Sequence, residues 1–413
     1  MVFTDFSSNI SLTDLKTSLR YILNPFNWRK LYTGSKLKEF KDYLSSYFNV
    51  SSDLFFLFDS GRSCIYIALK AIEVKNKEVL IPGYTCSVVV NAVRWAGAEP
   101  KFIDIKDDFN LDPEKIKNKI SNKTKVIIVH HTFGFPADIK KIKQICKKNN
   151  IILIEDCAHT VGGEIENKKA GKFGDISIFS LGANKVVSSI RGGILLVNNS
   201  DYISKINKIK QNIGNFPLIK VIKYLFYTPI FYLGRRTYRI KIGKLLLKVF
   251  KKVHFLPRII EKKEKSGKKP DWIPARLPNF LSELGLVNFK RLDKDNNHRE
   301  KISKIYKNQL PNRIIPRSLT ESERIVKFKF PILIDNPNRI QREMFKRGFQ
   351  LGLDWTGNNI APSDFDCKSC YNKNQCPKAE KLAQKILLLP TNRNVSKKDA
   401  KKINEDLIKL VKK

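Results

Sequence analysis

Seven short, uninterrupted apolar runs recur between residues 54 and 199: LFFLF, EVLIPG (78–83), PKFIDI (100–105), KVIIVHH (125–131), IILIED (151–156), ISIFSL (176–181) and GGILLVNN (192–199). A strand exposed on one face alternates apolar and polar residues, so runs without alternation belong to strands covered on both faces. The stretches between them, such as 138–148, have the length of crossover helices. This spacing predicts an α/β fold built on a large, mostly parallel sheet with helices on both sides. In such sheets ligands bind at the carboxyl ends of the strands.

The flanking regions differ. Residues 1–50 mix basic and aromatic side chains (Tyr21, Phe26, Trp28, Arg29, Lys30, Tyr32) without strand signals and read as an N-terminal appendage to a large domain at 51–202. Residues 203–273 form a basic, apolar insert, in which 203–270 hold 19 Lys/Arg against 2 acidic residues, interleaved with FPLIKVIKYLFYTPIFYLG and KIGKLLLKVFKKVHFLP. Its longest charge-free stretch, Tyr224 to Gly234, is well short of the roughly 20 residues a membrane-spanning helix needs. Basic residues beside Leu, Phe and Tyr suit an interfacial element that meets anionic lipid. The same pattern suits a helical hairpin packed on the body with a solvated basic face. From 274 to 413, linking helices lead into a smaller C-terminal α/β domain marked by KFKFPILI, QREMFKRGF and KILLLP.

Across 413 residues, 78 Lys/Arg against 39 Asp/Glu give a net charge of +39, which points to an anionic ligand or surface. No helix-turn-helix, RNP-type or zinc-finger pattern accompanies that charge, so nucleic acid is expected only as a substrate nucleotide. The 42% hydrophobic content excludes a disordered polymer, and 20 Gly with 18 Pro exclude a collagenous one. Of seven cysteines, Cys64, Cys86, Cys146 and Cys157 sit inside apolar segments, where a free thiol packs as a small hydrophobe. With no basic-then-apolar leader at the N-terminus, cytoplasmic residence is expected, peripheral to the inner face of the membrane if the insert meets lipid. Cys367, Cys370 and Cys376 have metal-like spacing, yet no fourth Cys or nearby His joins them. A loop with free or transiently paired thiols, and no metal, is expected there.

The densest chemical signal is 154–197. Asp156 follows directly on the apolar strand IILI, and Lys185 follows ISIFSL in a small-residue loop. An acid and an amine at strand ends suit one chemistry together. The lysine condenses with pyridoxal phosphate, while the carboxylate keeps the pyridine nitrogen protonated so that the ring accepts a substrate's electrons. Each residue alone reads equally well as a helix cap and a surface lysine.

The segment as a whole carries Glu155, Asp156, Ala158 and His159, then Gly171, Gly174, Asp175, Phe179, Ser180 and Lys185, then Gly192 and Gly193. This pattern resembles the DegT/StrS family of sugar aminotransferases, pyridoxal-phosphate enzymes of the aspartate-aminotransferase-like fold type I. Further blocks resemble the same family: Ser60-Gly61-Arg62-Ser63, IPGYTCSVVVNAVRWAGAEPKFIDI, VHHTFGFPADI, ARLPNFLSELGLVNFKRLD and CPKAEKLAQKILLLPTN. The resemblance implies that Lys185 holds the cofactor and shuttles a proton, that Asp156 pairs with the pyridinium, and that His159 lies near the ring. It implies that Ser180 with the amides of Arg62 and Ser63, at the turn made by Gly61, binds the phosphate, with the Arg62 guanidinium adding charge. It further implies a homodimer, an amino-acid donor (glutamate in most of the family), and a nucleotide-linked or lipid-linked keto-sugar acceptor in surface-polysaccharide or related biosynthesis.

The chain also departs from the family pattern. Cys86 stands where an aromatic residue would stack on the cofactor, so that stacking is expected from Tyr84 or His159. Pro274 replaces an Asn of the loop that crosses the dimer, and Ile190-Arg191 precede the paired glycines. These departures leave an alternative reading, a membrane-peripheral binding or scaffold protein that keeps the fold without transamination. A dehydrating relative would carry His in place of Lys185.

Overall fold

The computed structural model describes residues 10–238, 240–253, 255–256, 260–321, 325–353 and 371–411. Two helices, α1 (Leu12–Leu23) and α2 (Lys36–Phe48), precede the sheet. The strands β1 (Phe55–Phe58), β2 (Glu78–Pro82), β3 (Glu99–Ile103), β4 (Thr124–His130) and β5 (Ile152–Asp156) follow, connected by α3 (Gly61–Ile72), α4 (Ser87–Trp95), α5 (Pro113–Ile116) and α6 (Ile139–Lys148). A small hairpin, β6 (Glu164–Ile165) and β7 (Lys168–Lys169), leads to β8 (Ile176–Ser180) and β9 (Gly193–Val197).

These strands make a seven-stranded sheet in the order β1-β9-β8-β5-β4-β2-β3. Pairings from β3 through β8 are parallel, and β9 runs antiparallel to both β8 and β1. The apolar runs are explained by burial on both faces. In β4, Val126 and Ile128 point into one core while Ile127 and Val129 point into another, as the two-residue period of a strand requires. Parallel register aligns His130 with Asp156 at the carboxyl ends of β4 and β5.

The chain then runs through α7 (Ile203–Gln211), α8 (Leu218–Arg236), α9 (Ile242–Lys252) and α10 (Lys262–Lys265), and on to the linking helices α11 (Asn279–Phe289) and α12 (Leu292–Gln309). The small C-terminal unit holds α13 (Arg317–Glu321), β10 (Lys329–Leu333), α14 (Pro337–Lys346), α15 (Pro377–Lys385), β11 (Ile386–Pro390) and α16 (Lys397–Val411), with β10 and β11 antiparallel. Asp104, just past β3, joins the two units. Its Oδ2 accepts from Lys378 N at 3.1 Å and its Oδ1 from Ala379 N at 3.0 Å, so a carboxylate sits on orphan amides of the first turn of α15.

Two sequence expectations change. The stretch read as an N-terminal appendage is part of the core: Ile10, Tyr21, Phe40, Leu44 and Phe48 are buried with α11 and the outer face of β1 and β9, and Tyr21 Oη donates to Glu283 Oε2 at 2.8 Å. The insert divides in two. Helix α8 buries Val221, Tyr224, Leu225, Tyr227 and Thr228, whereas α9 buries only Gly243. Its ends meet, since Arg276 N donates to Gly214 O at 3.1 Å. No helix among the described residues is long and apolar enough to cross a membrane. Cys367 and Cys370 lie outside the described residues. Cys376 is buried at the head of α15, where burial pushes its thiol up to about 12.

Candidate active site

One cavity opens at the carboxyl ends of the parallel strands, and most of the residues singled out in the sequence meet there. Gly61, Arg62, Asp156, Ser180 and Lys185 all line it. Asp156 ends β5, and its Oδ1 accepts from Ala158 N at 2.9 Å, which fixes the carboxylate at the cavity wall. Ser180 ends β8, directly against the first turn of α3. A Cβ on Gly61 would stand 3.2 Å from Ser180 Cβ, so glycine lets the strand end and the helix N-terminus approach closely. Ser60 caps α3 by accepting from Ser63 N at 3.3 Å, and the helix dipole places partial positive charge at the amides of Gly61 and Arg62.

Ser63 departs from the expectation. Its amide is used by Ser60 and its hydroxyl donates to Asp59 Oδ1 at 2.6 Å, and it does not line the cavity. The Arg62 guanidinium is paired with Glu264, a residue of α10 that is fully buried. The charge expected to face the cofactor is therefore shared with a carboxylate of the insert.

Lys185 and His159 are coupled. Lys185 Nζ lies 3.1 Å from His159 Nε2, and His159 Nδ1 accepts from Phe133 N at 3.2 Å. A neutral imidazole has one donor and one acceptor nitrogen. With Nδ1 accepting, Nε2 carries the proton and points it at the lysine nitrogen, which receives it only as a neutral amine. Burial pushes the Lys185 pKa below the ordinary lysine value, with Lys329 and Arg62 pressing the same way and Cys86 and Asp156 opposing. Burial also holds His159 far below the usual histidine value.

The turn that supplies Phe133 N is itself fixed. Asn110 Oδ1 accepts from Thr132 N at 2.8 Å, and Asn110 Nδ2 donates to Phe135 O at 3.1 Å. Glu155, beside Asp156, accepts from the amides of Gly171, Phe173 and Gly174 and from His131 Nε2 at 3.1 Å. His131, Glu155 and Cys157 lie close enough to share an ion, but the backbone amides already occupy both carboxylate oxygens, and the cluster holds the 171–174 loop in place.

The expected stacking partners are occupied. Tyr84 packs against Phe109 and Phe133 with ring centroids 5.9 Å away, and does not line the cavity. His159 is stacked on Phe328 at 4.4 Å and on Phe133 at 5.9 Å. The wall in this region is formed by Cys86, Val88 and Val89.

Sequence reasoning missed several residues here. Asp59 receives Ser60 Oγ, Ser63 Oγ, Ala275 N and Arg191 Nη2, the last at 2.9 Å, and so anchors α3 to the paired-glycine loop. Tyr224, Tyr227 and Ile260 of the insert line the cavity. Glu264 had a visible signal, being one of two acids in a run of 19 bases.

A mostly parallel sheet that carries a carboxylate and a buried lysine of lowered pKa at its strand ends, beside a glycine-opened helix N-terminus, fits the aminotransferase class of α/β proteins. Solved structures agree on the fold: the chain matches PseC of Helicobacter pylori, an aminotransferase involved in the biosynthesis of pseudoaminic acid, with TM-score 0.76 and 18% identity over 100% of both chains. It matches Streptococcus pneumoniae Spr1654 in its PLP form with TM-score 0.73 and 18% identity, over 98% of this chain and 97% of that one. The chain belongs to the DegT/DnrJ/EryC1/StrS aminotransferase family, whose model matches residues 16–215 and 264–408. Among curated relatives, a UDP-4-amino-4,6-dideoxy-N-acetyl-beta-L-altrosamine transaminase of Campylobacter jejuni is 26% identical over 92% of this chain and 91% of its own length. A GDP-perosamine synthase of Vibrio cholerae is 33% identical over 37% of this chain and 42% of its own.

Proposed function

We propose that this chain is a pyridoxal-phosphate-dependent aminotransferase that moves an amino group from an amino-acid donor, glutamate by expectation, to a nucleotide-linked keto-sugar, and that it works as a homodimer. The observation that carries this reading is the Phe133–His159–Lys185 chain, which sets a buried lysine, its pKa lowered by burial, beside Asp156 and Ser180. The UDP- and GDP-sugar relatives support the acceptor class.

The residues present fit the cofactor. Lys185 offers the unprotonated amine needed for covalent attachment and for proton transfer at Nζ. Asp156 would hold the ring nitrogen, and Ser180 with the amides at the head of α3 would hold the phosphate, an anion suited to a helix N-terminus. When bound, pyridoxal phosphate supplies a reactive carbonyl and an electron sink. His159 orients the lysine, and Tyr224 and Tyr227 narrow the cavity mouth and exclude water. On this reading residues 51–202 form the cofactor domain, 203–273 the insert, and 274–413 the linking helices and small domain, with 10–50 packed as part of the body. The scaffold alternative is disfavoured by the intact Asp156, Ser180 and Lys185 and by relatives that are transaminases.

The test is the visible spectrum of the protein loaded with pyridoxal phosphate. Glutamate should convert the absorbance to that of the amino form of the cofactor, and Lys185→Ala should lose the label fixed by borohydride reduction. A wild-type protein that gains no borohydride-fixed label would overturn the proposal.

A further inference from the structure

Helix α9 presents three sectors around its axis. Gly243 is buried and Leu247 packs on the body. Ile242, Leu245, Val249 and Val253, spaced at i, i+3, i+7 and i+11, face outward and are 61%, 63%, 47% and 62% exposed. At 100° per residue these four fall on one stripe. Lys241, Lys244, Lys248, Lys251 and Lys252 fall on the sector beside it. At the tip of the α8–α9 hairpin, Leu233 and Ile240 add further exposed apolar surface, 52% and 65% exposed.

The charge around this stripe has one sign. No acidic residue occurs between Asp201 and Glu261, and none of the five α9 lysines forms an ion pair among the described residues. An apolar stripe beside unpaired lysines on a helix too short to span a bilayer is the composition of an element lying in the headgroup plane. We propose that α9 seats this protein on a bilayer containing anionic lipid. Ile242, Leu245, Val249 and Val253 enter the acyl boundary, and the lysines meet lipid phosphates and carboxylates. The aromatic face of α8 takes no part in that contact, because it is buried against α1 and at the catalytic cavity. A like-charged second copy is a poor occupant of the same face, since five lysines would meet five lysines.

The test uses the full chain, without substrate, floated with phosphatidylcholine vesicles that contain or lack phosphatidylglycerol. Binding is expected only to the anionic vesicles and should weaken as salt rises. Lys248→Gln and Lys251→Gln should each weaken binding about fivefold. Leu245→Ser with Val249→Ser should weaken it at least tenfold, with amino-transfer activity in solution unchanged, because none of these side chains reaches the cavity. The proposal is overturned if the wild type does not float with anionic vesicles, or if the three variants float as well as wild type. It is also overturned if Leu245→Ser with Val249→Ser changes the oligomeric state by light scattering while vesicle binding is kept, which would assign the stripe to a second copy. None of these outcomes depends on whether the protein transaminates.

Discussion

Burial lowers the Lys185 pKa, and the relay that faces its amine begins at Asn110, which pins the 132–135 turn so that Phe133 N fixes the tautomer of His159. His159→Leu removes the donor that favours the neutral lysine. The expected result is an upward shift in the pH at which pyridoxal phosphate becomes covalently attached, with kcat lowered about 10- to 100-fold. His159→Gln keeps a donor and should retain most activity; a pH titration of cofactor absorbance compares the two. His130 lies beside this relay, with Nε2 2.7 Å from Thr85 Oγ1. Burial lowers its pKa from 6.5 to about 4. Between those values the unfolded chain binds a proton that the folded chain refuses, so stability is complete above pH 6.5 and is lost as pH falls toward 4. The loss is on the order of 3 kcal/mol. His130→Gln should flatten this acid limb in denaturant unfolding followed across pH.

Among elements, the strands were legible because a doubly buried strand leaves an unbroken apolar run, and Asp156, Ser180 and Lys185 follow such runs directly. Helices α1 and α2 were not, because their amphipathic faces do not state what will cover them. That information lies in α11, more than two hundred residues away. Gly61, Arg62 and Ser63 all fall in the first turn of α3, but only the first two line the cavity, because the capping by Ser60 and the pull of Asp59 on Ser63 are contacts that only the folded turn creates. The role of α10 was also hidden, since it depends on Glu264 reaching Arg62 across the fold. Glu264→Ala should cost about 3–5 kcal/mol by leaving a buried guanidinium without its carboxylate. Urea unfolding should also show that adding Arg62→Met to Glu264→Ala recovers much of the loss, so that the double variant loses less than the two single variants summed.

Across the whole molecule, the small unit is joined to the sheet by a shared apolar core and by polar links that include the Asp104 carboxylate on the head of α15 and the hydrogen bond from Ile325 N to Gly134 O. Asp104→Ala should lower stability by about 1–2 kcal/mol, and limited proteolysis should then release cleavage sites in 377–411 before the sheet is attacked. The family model passes over 216–263, and that gap falls inside the excursion that leaves at Gly214 and returns at Arg276, two residues joined by a backbone hydrogen bond. Because the ends of the excursion are already closed by the sheet edge, its length bears little on the stability of what it interrupts, each doubling of a closed loop costing only about 0.6 kcal/mol. The body is therefore a chassis with one socket, whose inner parts, α8 and α10, reach the cavity and Arg62, while its outer tip at α9 can be lengthened or recharged without retuning the strands that hold the chemistry.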